Sequence, residues 1–138
     1  MNQAEIKMII KRRRDFEYLI RRRQLVPADY YGYLQYEINL DKLRAIRSFR
    51  ESQDASKDHQ DALRSVQSAF SKHICYIFER GIRRFPGNVV FWNDYIAYLK
   101  ENKSSSILNA VLGRALALYP KDESLWLQAA VSRNILFP

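Results

Sequence analysis

The chain has 138 residues, 47% of them hydrophobic, with four glycines, four prolines, one cysteine and a net charge of +8. That size and composition exclude a wholly disordered or loop-rich chain. Cys75 alone excludes an internal disulfide and any cysteine-based zinc site, and no apolar run approaches the ~18 residues of a membrane helix.

Charge is concentrated at the start. Residues 1–50 hold 12 Lys/Arg against 6 Asp/Glu, and residues 51–138 hold 11 against 9. A local positive field of this kind favours an anionic partner, nucleic acid first and an acidic protein surface second; the plainer reading is a solvated helix face. The opening MNQAEIKMIIKRRR lacks the apolar centre of a secretory signal, and Glu5, Asp15 and Glu17 are at odds with a mitochondrial presequence. The runs at 11–14 and 21–23 match short nuclear-signal patterns.

Helical periodicity predicts a first helix over residues 2–23. Ile6, Ile9, Ile10, Phe16 and Ile20 share one stripe, with Lys7, Lys11, Arg14, Arg21 and Arg22 roughly opposite. Arg13 and Glu17, at i,i+4, are placed to pair at the edge of the stripe. Pro27 predicts a turn at residues 25–28. A second helix is expected over about 29–50, lined by Tyr33, Tyr36, Leu40 and Leu43, then a polar stretch over 51–60 that reads as a loop or a mobile end of the helix. A third, over about 61–84, carries Leu63, Val66, Phe70, Ile74, Ile77 and Gly81, and the Phe85-Pro86-Gly87-Asn88 segment stops it.

Three shorter helices follow. The fourth, about 89–101, carries Phe91, Trp92, Tyr95, Tyr98 and Leu99. The fifth, about 104–118, carries Ile107, Val111, Leu112, Ala115 and Leu118, with the serines at 104–106 as its N-cap region. A sixth starts near Asp122 and Glu123, whose charges suit a helix N-terminus, and holds Leu125, Trp126, Ala129 and Ala130.

The second half repeats. Arg80, Gly81, Phe85, Pro86 and Trp92 recur as Arg114, Ala115, Tyr119, Pro120 and Trp126, all five at one constant offset. That offset matches the period of roughly 34 residues typical of tetratricopeptide helix pairs. The small residue lets two helices approach closely, the aromatic-Pro pair ends the second helix, and the Trp opens the core face of the next. The pattern W-x2-Y-x2-Y followed by R-[GA]-[IL]-x3-P departs from the tetratricopeptide consensus and resembles the half-a-TPR repeat. Tyr30, Tyr33, Tyr36 and Glu37 fit the first helix of an earlier repeat. Tyr30 precedes Trp92 by nearly two periods where one would do, which predicts an elongated first repeat. In this reading Tyr30, Tyr33, Tyr36, Gly81, Trp92, Tyr95, Tyr98, Ala115 and Trp126 are solenoid core, with Pro86 and Pro120 as stops.

The strings IIKRRRDFEYLIRRR (9–23), DYYGYLQYEINLDKLRAIR (29–47) and IFERGIRRFPGNVVFWNDYIAYLK (77–100) extend the resemblance across roughly residues 5–130. They resemble the start of the half-a-TPR subunit family of the UTP-B subcomplex in the small-subunit processome. The fold this implies is all-α: an α-solenoid of antiparallel helix pairs preceded by a basic N-terminal helix. Residues 1–27 are that helix, and 28–138 the repeat domain, divided into a long first repeat (28–86, polar linker near 51–60), a second (87–120) and a truncated third (121–138). The early stop and the tail at 131–138 read as a fragment, an isoform or a short gene model.

Catalysis finds no support in the sequence. His59 and His73 are well separated, His73 and Cys75 at i,i+2 do not face each other, and the glycines form no phosphate-binding loop. No enzyme activity, cofactor or metal is expected. The resemblance implies a non-catalytic, nucleolar scaffold for pre-rRNA processing and small-subunit assembly. Its partners would be other UTP-B proteins, β-propeller subunits among them, with pre-rRNA and small nucleolar RNA contacted directly or through the complex. Lys11, Arg12, Arg14, Arg21 and Arg22 are the candidate contacts with RNA phosphate or an acidic partner. The competing assignment within the same architecture is a scaffold for splicing or polyadenylation.

Overall fold

A computed structural model describes residues 2–53, 56–102 and 104–132. Those residues form six α-helices and no strand: α1 (Gln3–Ile20), α2 (Pro27–Ser52), α3 (Lys57–Arg84), α4 (Val89–Glu101), α5 (Ser105–Leu118) and α6 (Glu123–Ser132). They group into two compact units, α1–α3 and α4–α6, divided between Phe85 and Pro86. No described helix is long and apolar enough to cross a membrane.

The helix starts are chemically explicit. Asn2 accepts from the Glu5 amide at 2.8 Å while the Glu5 carboxylate accepts from the Asn2 amide at 3.2 Å, a reciprocal capping box. Pro27 is the first residue of α2, where a missing N–H costs nothing, and Asp29 reaches back to the Val26 amide. Ser56 caps α3, Asn88 caps α4 and Asp122 accepts from the Leu125 amide at the start of α6. Ser104 precedes α5 but makes no side-chain capping bond.

One expectation about helix length is corrected. The first helix stops at Ile20, so Arg21–Arg23 follow it rather than belong to it. Of the two readings of the polar stretch, loop or helix end, the helical one holds for most of it, since α2 runs to Ser52 and α3 begins at Lys57, while residues 54–55 lie outside the described set. Glu, Lys, Gln and Arg propagate a helix without any apolar face once a packed turn has nucleated it. Accordingly nearly every described side chain from Phe49 to Ala62 is exposed.

In α1–α3 the apolar core is made of Ile20, Leu25, Tyr30, Tyr33, Leu34, Ile74, Ile77, Phe78 and Ile82. Phe16 stacks on Tyr33 with ring centroids 5.0 Å apart and planes 4° apart. The predicted stripes are buried only in part. Ile6 and Ile10 of α1, Leu43 of α2 and Val66 of α3 are exposed.

In α4–α6 the core is Phe91, Trp92, Tyr95, Ile96, Tyr98, Leu99, Leu108, Val111, Leu112, Ala115, Leu116, Leu125 and Ala129. The repeat seen in the sequence is also a geometric one. Phe85 leaves α3 with φ −128°, ψ 63°, and Tyr119 leaves α5 with φ −125°, ψ 64°. Each amide donates to the carbonyl at i−4, Gly81 or Ala115, at 2.8 Å. The Trp92 indole donates to the Pro86 carbonyl and the Trp126 indole to the Pro120 carbonyl. Tyr119 in turn donates its hydroxyl to the Pro86 carbonyl at 2.9 Å, linking the two turns.

Trp126 corrects the expected core. Trp92 is 1% exposed, whereas Trp126 is 54% exposed and its neighbour Leu125 takes the fully buried place. Trp92 begins the helix that α5 covers. Trp126 stands in the first turn of α6, which packs on α5. Residues 133–138, the end of the expected third repeat, lie outside the described set.

Candidate functional site

The polar chemistry of α1–α3 is drawn inward. Glu37 of α2 is 0% exposed, a position an acid tolerates only with partners. Arg13 of α1 clamps it with two bonds, Nε to Oε1 at 2.7 Å and Nη2 to Oε2 at 3.0 Å. His73 Nε2 of α3 lies 3.4 Å from the same Oε1 and 3.3 Å from the Tyr33 hydroxyl. That hydroxyl donates to Glu17, so its remaining part toward His73 is as acceptor. The network therefore assigns the ring proton to Nε2. Glu17 also takes a 2.7 Å bond from Arg80 of α3.

The titration shifts follow from this arrangement. Burial pushes the Glu37 carboxyl up, but bonds from His73 and Arg13 outweigh it and hold the group below its usual range. Glu17 is likewise raised by burial and lowered further by Arg80 and Tyr33. Burial, then the Glu17 carboxylate, pushes the Tyr33 phenol well up. The expected Arg13–Glu17 pair along α1 does not form. A bidentate partner on α2 and a cation on α3 take the two groups instead.

Among the described residues, two grooves lie between these helices. One, about 150 Å³ between α1 and α2, is lined by Met8, Ile9, Leu40 and Leu43 and bordered by the Glu5–Arg47 ion pair at 3.2 Å. The other, about 350 Å³ between α2 and α3, is lined by Arg44, Ser48, Phe49, Leu63 and Arg64. Neither brings a nucleophile and a base together. Among the described residues no group of three His, Cys, Asp or Glu is placed to hold a metal ion.

With Glu5 and Glu17 turned toward Arg47 and Arg80, the outward side of α1 is left basic. Lys7, Lys11, Arg14, Arg21 and Arg22 are exposed, and among the described residues none is within an ion pair. Arg12, grouped with them in the sequence, is placed differently. Its guanidinium lies 5.3 Å from the Phe16 ring centroid and 6.0 Å from that of Tyr36. It therefore sits on the flank toward α2. Arg21 caps the C-terminal end of α1, where positive charge suits the helix dipole, and the Arg23 carbonyl accepts from Arg84.

Of the repeat residues, Tyr30, Tyr33, Gly81, Trp92, Tyr95, Tyr98 and Ala115 are buried, Tyr36 is half-buried, and Pro86, Pro120 and Trp126 are exposed. Sequence reasoning missed the Glu37 network. Its one available signal was an acid directly after Tyr36, on a helix face otherwise bound for the core.

Residues 1–73, which include α1, α2 and the first half of α3, match the family model described as U3 small nucleolar RNA-associated protein 6. The chain is similar to the Schizosaccharomyces pombe protein of that name, at 36% identity over 128 residues, 93% of this chain and 25% of the relative. It is similar to the Homo sapiens homolog at 33% over 129 residues, 94% of this chain and 21% of the relative. With the Dictyostelium discoideum homolog it shares 25% over 140 residues, 98% of this chain and 22% of the relative. The chain thus spans between a fifth and a quarter of the length of these relatives.

Proposed function

The chain belongs to the U3 small nucleolar RNA-associated protein 6 family, and from that premise we propose that it serves ribosome biogenesis as a non-catalytic scaffold. It acts in pre-rRNA processing and small-subunit assembly, within the processome in the nucleolus. The helix pairs of α4–α6 are half-a-TPR units of a solenoid, α2 and α3 are its elongated first repeat, and α1 is a basic leader. The protein partners are UTP-B subunits, including β-propellers, and the RNA partners are pre-rRNA and small nucleolar RNA.

The observation that carries this reading is the outward face of α1 in a chain of this family. Its cations lack intramolecular ion-pair partners because Glu5 and Glu17 of the same helix are engaged by Arg47 and Arg80. Phosphate contacts made by Lys11, Arg14, Arg21 and Arg22, with Arg12 at the flank, position an RNA without reading its sequence. Two measurements test it. The tagged chain is expected to co-sediment with particles containing U3 small nucleolar RNA; recovery of splicing or cleavage factors instead would overturn the assignment. In purified form, Arg14→Ala and Arg22→Ala are each expected to weaken RNA binding. Each also lowers the slope of log affinity against log salt by about 0.7 for a single strand. Affinity and slope unchanged by both substitutions would remove the phosphate contact.

A further inference from the structure

We propose that the outward face of α1 is a single-stranded RNA site in which the Tyr18 ring stacks on a base. Lys7, Lys11, Arg14 and Arg22 hold the neighbouring phosphates. This rests on the RNA-binding reading above and names the form of RNA it takes.

Tyr18 is 79% exposed, more than any other large hydrophobic side chain among the described residues. Phe16, the neighbouring ring on the same helix, behaves otherwise: it is stacked on Tyr33 and tilted against Tyr36. A single exposed ring is ordinary by itself. Its register is what points to a ligand. Lys7, Lys11, Arg14 and Tyr18 stand at i, i+4, i+7 and i+11. At about 100° per residue that places all four within an arc of roughly 60°. At about 1.5 Å of rise per residue, the row runs roughly 16 Å along the helix. Arg21 and Arg22 follow the ring within a turn. The α1 C-terminus presents the negative end of a helix dipole here, and the three arginines at 21–23 outweigh it.

The acids sharpen the contrast. Of the three on α1, Glu5 is bound to Arg47 and Glu17 to Arg80 and Tyr33, which leaves Asp15 as the acid on the outer side. The face therefore offers five cations to one acid, with an aromatic ring among them. Single strands are bound by this combination, a basic track for the backbone and a ring on which an unstacked base lies. A duplex keeps its bases stacked inside and is recognised through its shape and backbone, which gives the ring nothing to meet. An acidic protein segment satisfies the cations and leaves the ring equally idle.

The test uses the whole chain with fluorescently labelled oligouridine and, separately, an RNA duplex of equal length, read by anisotropy across a salt series. Tyr18→Ala is expected to weaken oligouridine binding at least about fivefold, the loss of one base–aromatic stack, while leaving duplex binding and the salt slope unchanged. Tyr18→Phe, which keeps the ring, is expected to retain the affinity. The ring is at the surface, so far-UV circular dichroism of both variants should match the parent.

Three outcomes would overturn the site: unaltered oligouridine affinity in Tyr18→Ala, an equal loss on duplex, or displacement of oligouridine by polyglutamate at lower concentration than by unlabelled oligouridine. Co-sedimentation with U3-containing particles is measured in parallel on the parent chain. If that association stands while Tyr18→Ala has no effect, only the stacking site falls. If the association is absent while oligouridine binding depends on Tyr18, only the processome assignment falls.

Discussion

In α1–α3 the helices meet around a charged, hydrogen-bonded network, with Glu37, Arg13, His73, Tyr33, Glu17 and Arg80 bridging all three. In α4–α6 they meet across Phe91, Trp92, Tyr95, Leu99, Val111, Leu112 and Leu125, and Ala115 is fully buried at the contact. The second arrangement is generic. Any helix with an apolar stripe of the right size packs on it, which suits a unit that recurs along the chain. The first is particular, because a buried carboxylate accepts one geometry and penalises others. Polar groups that face each other across three helices set the rotation of α1, and that rotation decides which of its charges face water.

The largest expected effect lies in the apolar unit. Trp92→Ala should destabilise α4–α6 by about 3–5 kcal/mol, as a large buried ring is lost. Trp126→Ala, at the equivalent place one period on, should cost less than about 1 kcal/mol, since that ring is already half in water. Urea unfolding followed by far-UV circular dichroism compares the two. Equal losses would mean that both indoles are packed alike and would contradict the difference in burial.

Next comes the polar unit. Glu37→Ala leaves Arg13 and His73 without their carboxylate and should cost about 2–3 kcal/mol. That is somewhat below the loss for a fully buried pair, because a third of the Arg13 side chain remains exposed. Replacing both partners, Arg13→Met with Glu37→Leu, should recover most of that loss. If the double variant is as unstable as the single one, the pair contributes net stability rather than register.

The smallest effect is the response to acid. A carboxyl whose folded pKa lies below its unfolded value stabilises the fold above that unfolded value. The contribution is lost as pH falls through the folded pKa. Glu37 and Glu17 are both lowered from about 4.5, so α1–α3 should weaken as pH drops below that value. Both tryptophans, Trp92 and Trp126, lie in α4–α6. Circular dichroism should therefore lose helix at a higher pH than tryptophan fluorescence changes. Coincident acid transitions would show that the network does not distinguish the units.

Much of the architecture is legible in the sequence because it rests on local rules. Pro27, Asn88 and the Phe85-Pro86 and Tyr119-Pro120 pairs mark helix ends through backbone chemistry confined to a few neighbouring positions. The repeat offset carries over into matching dihedral angles at Phe85 and Tyr119 for the same reason. Periodicity leaves 51–60 open between loop and helix end since it reports burial, and a helix with exposed side chains has none to report. It misplaces Trp126 in the core because a repeat interval marks equivalent positions and not how far each one is covered.

The amino-acid sequence by itself determined the helices, the stops marked by proline and capping residues, the repeat interval and the excess of positive charge at the start, all properties set by short-range sterics, propensity and counting. Only the tertiary structure decided which charges are consumed. Arg13, Glu17, Glu37, His73 and Arg80 are scattered from α1 to α3 and meet solely because three helices are folded together. Their pairing, a matter of distance and burial, turns Glu17 of α1 inward and leaves Lys7, Lys11, Arg14 and Tyr18 facing water.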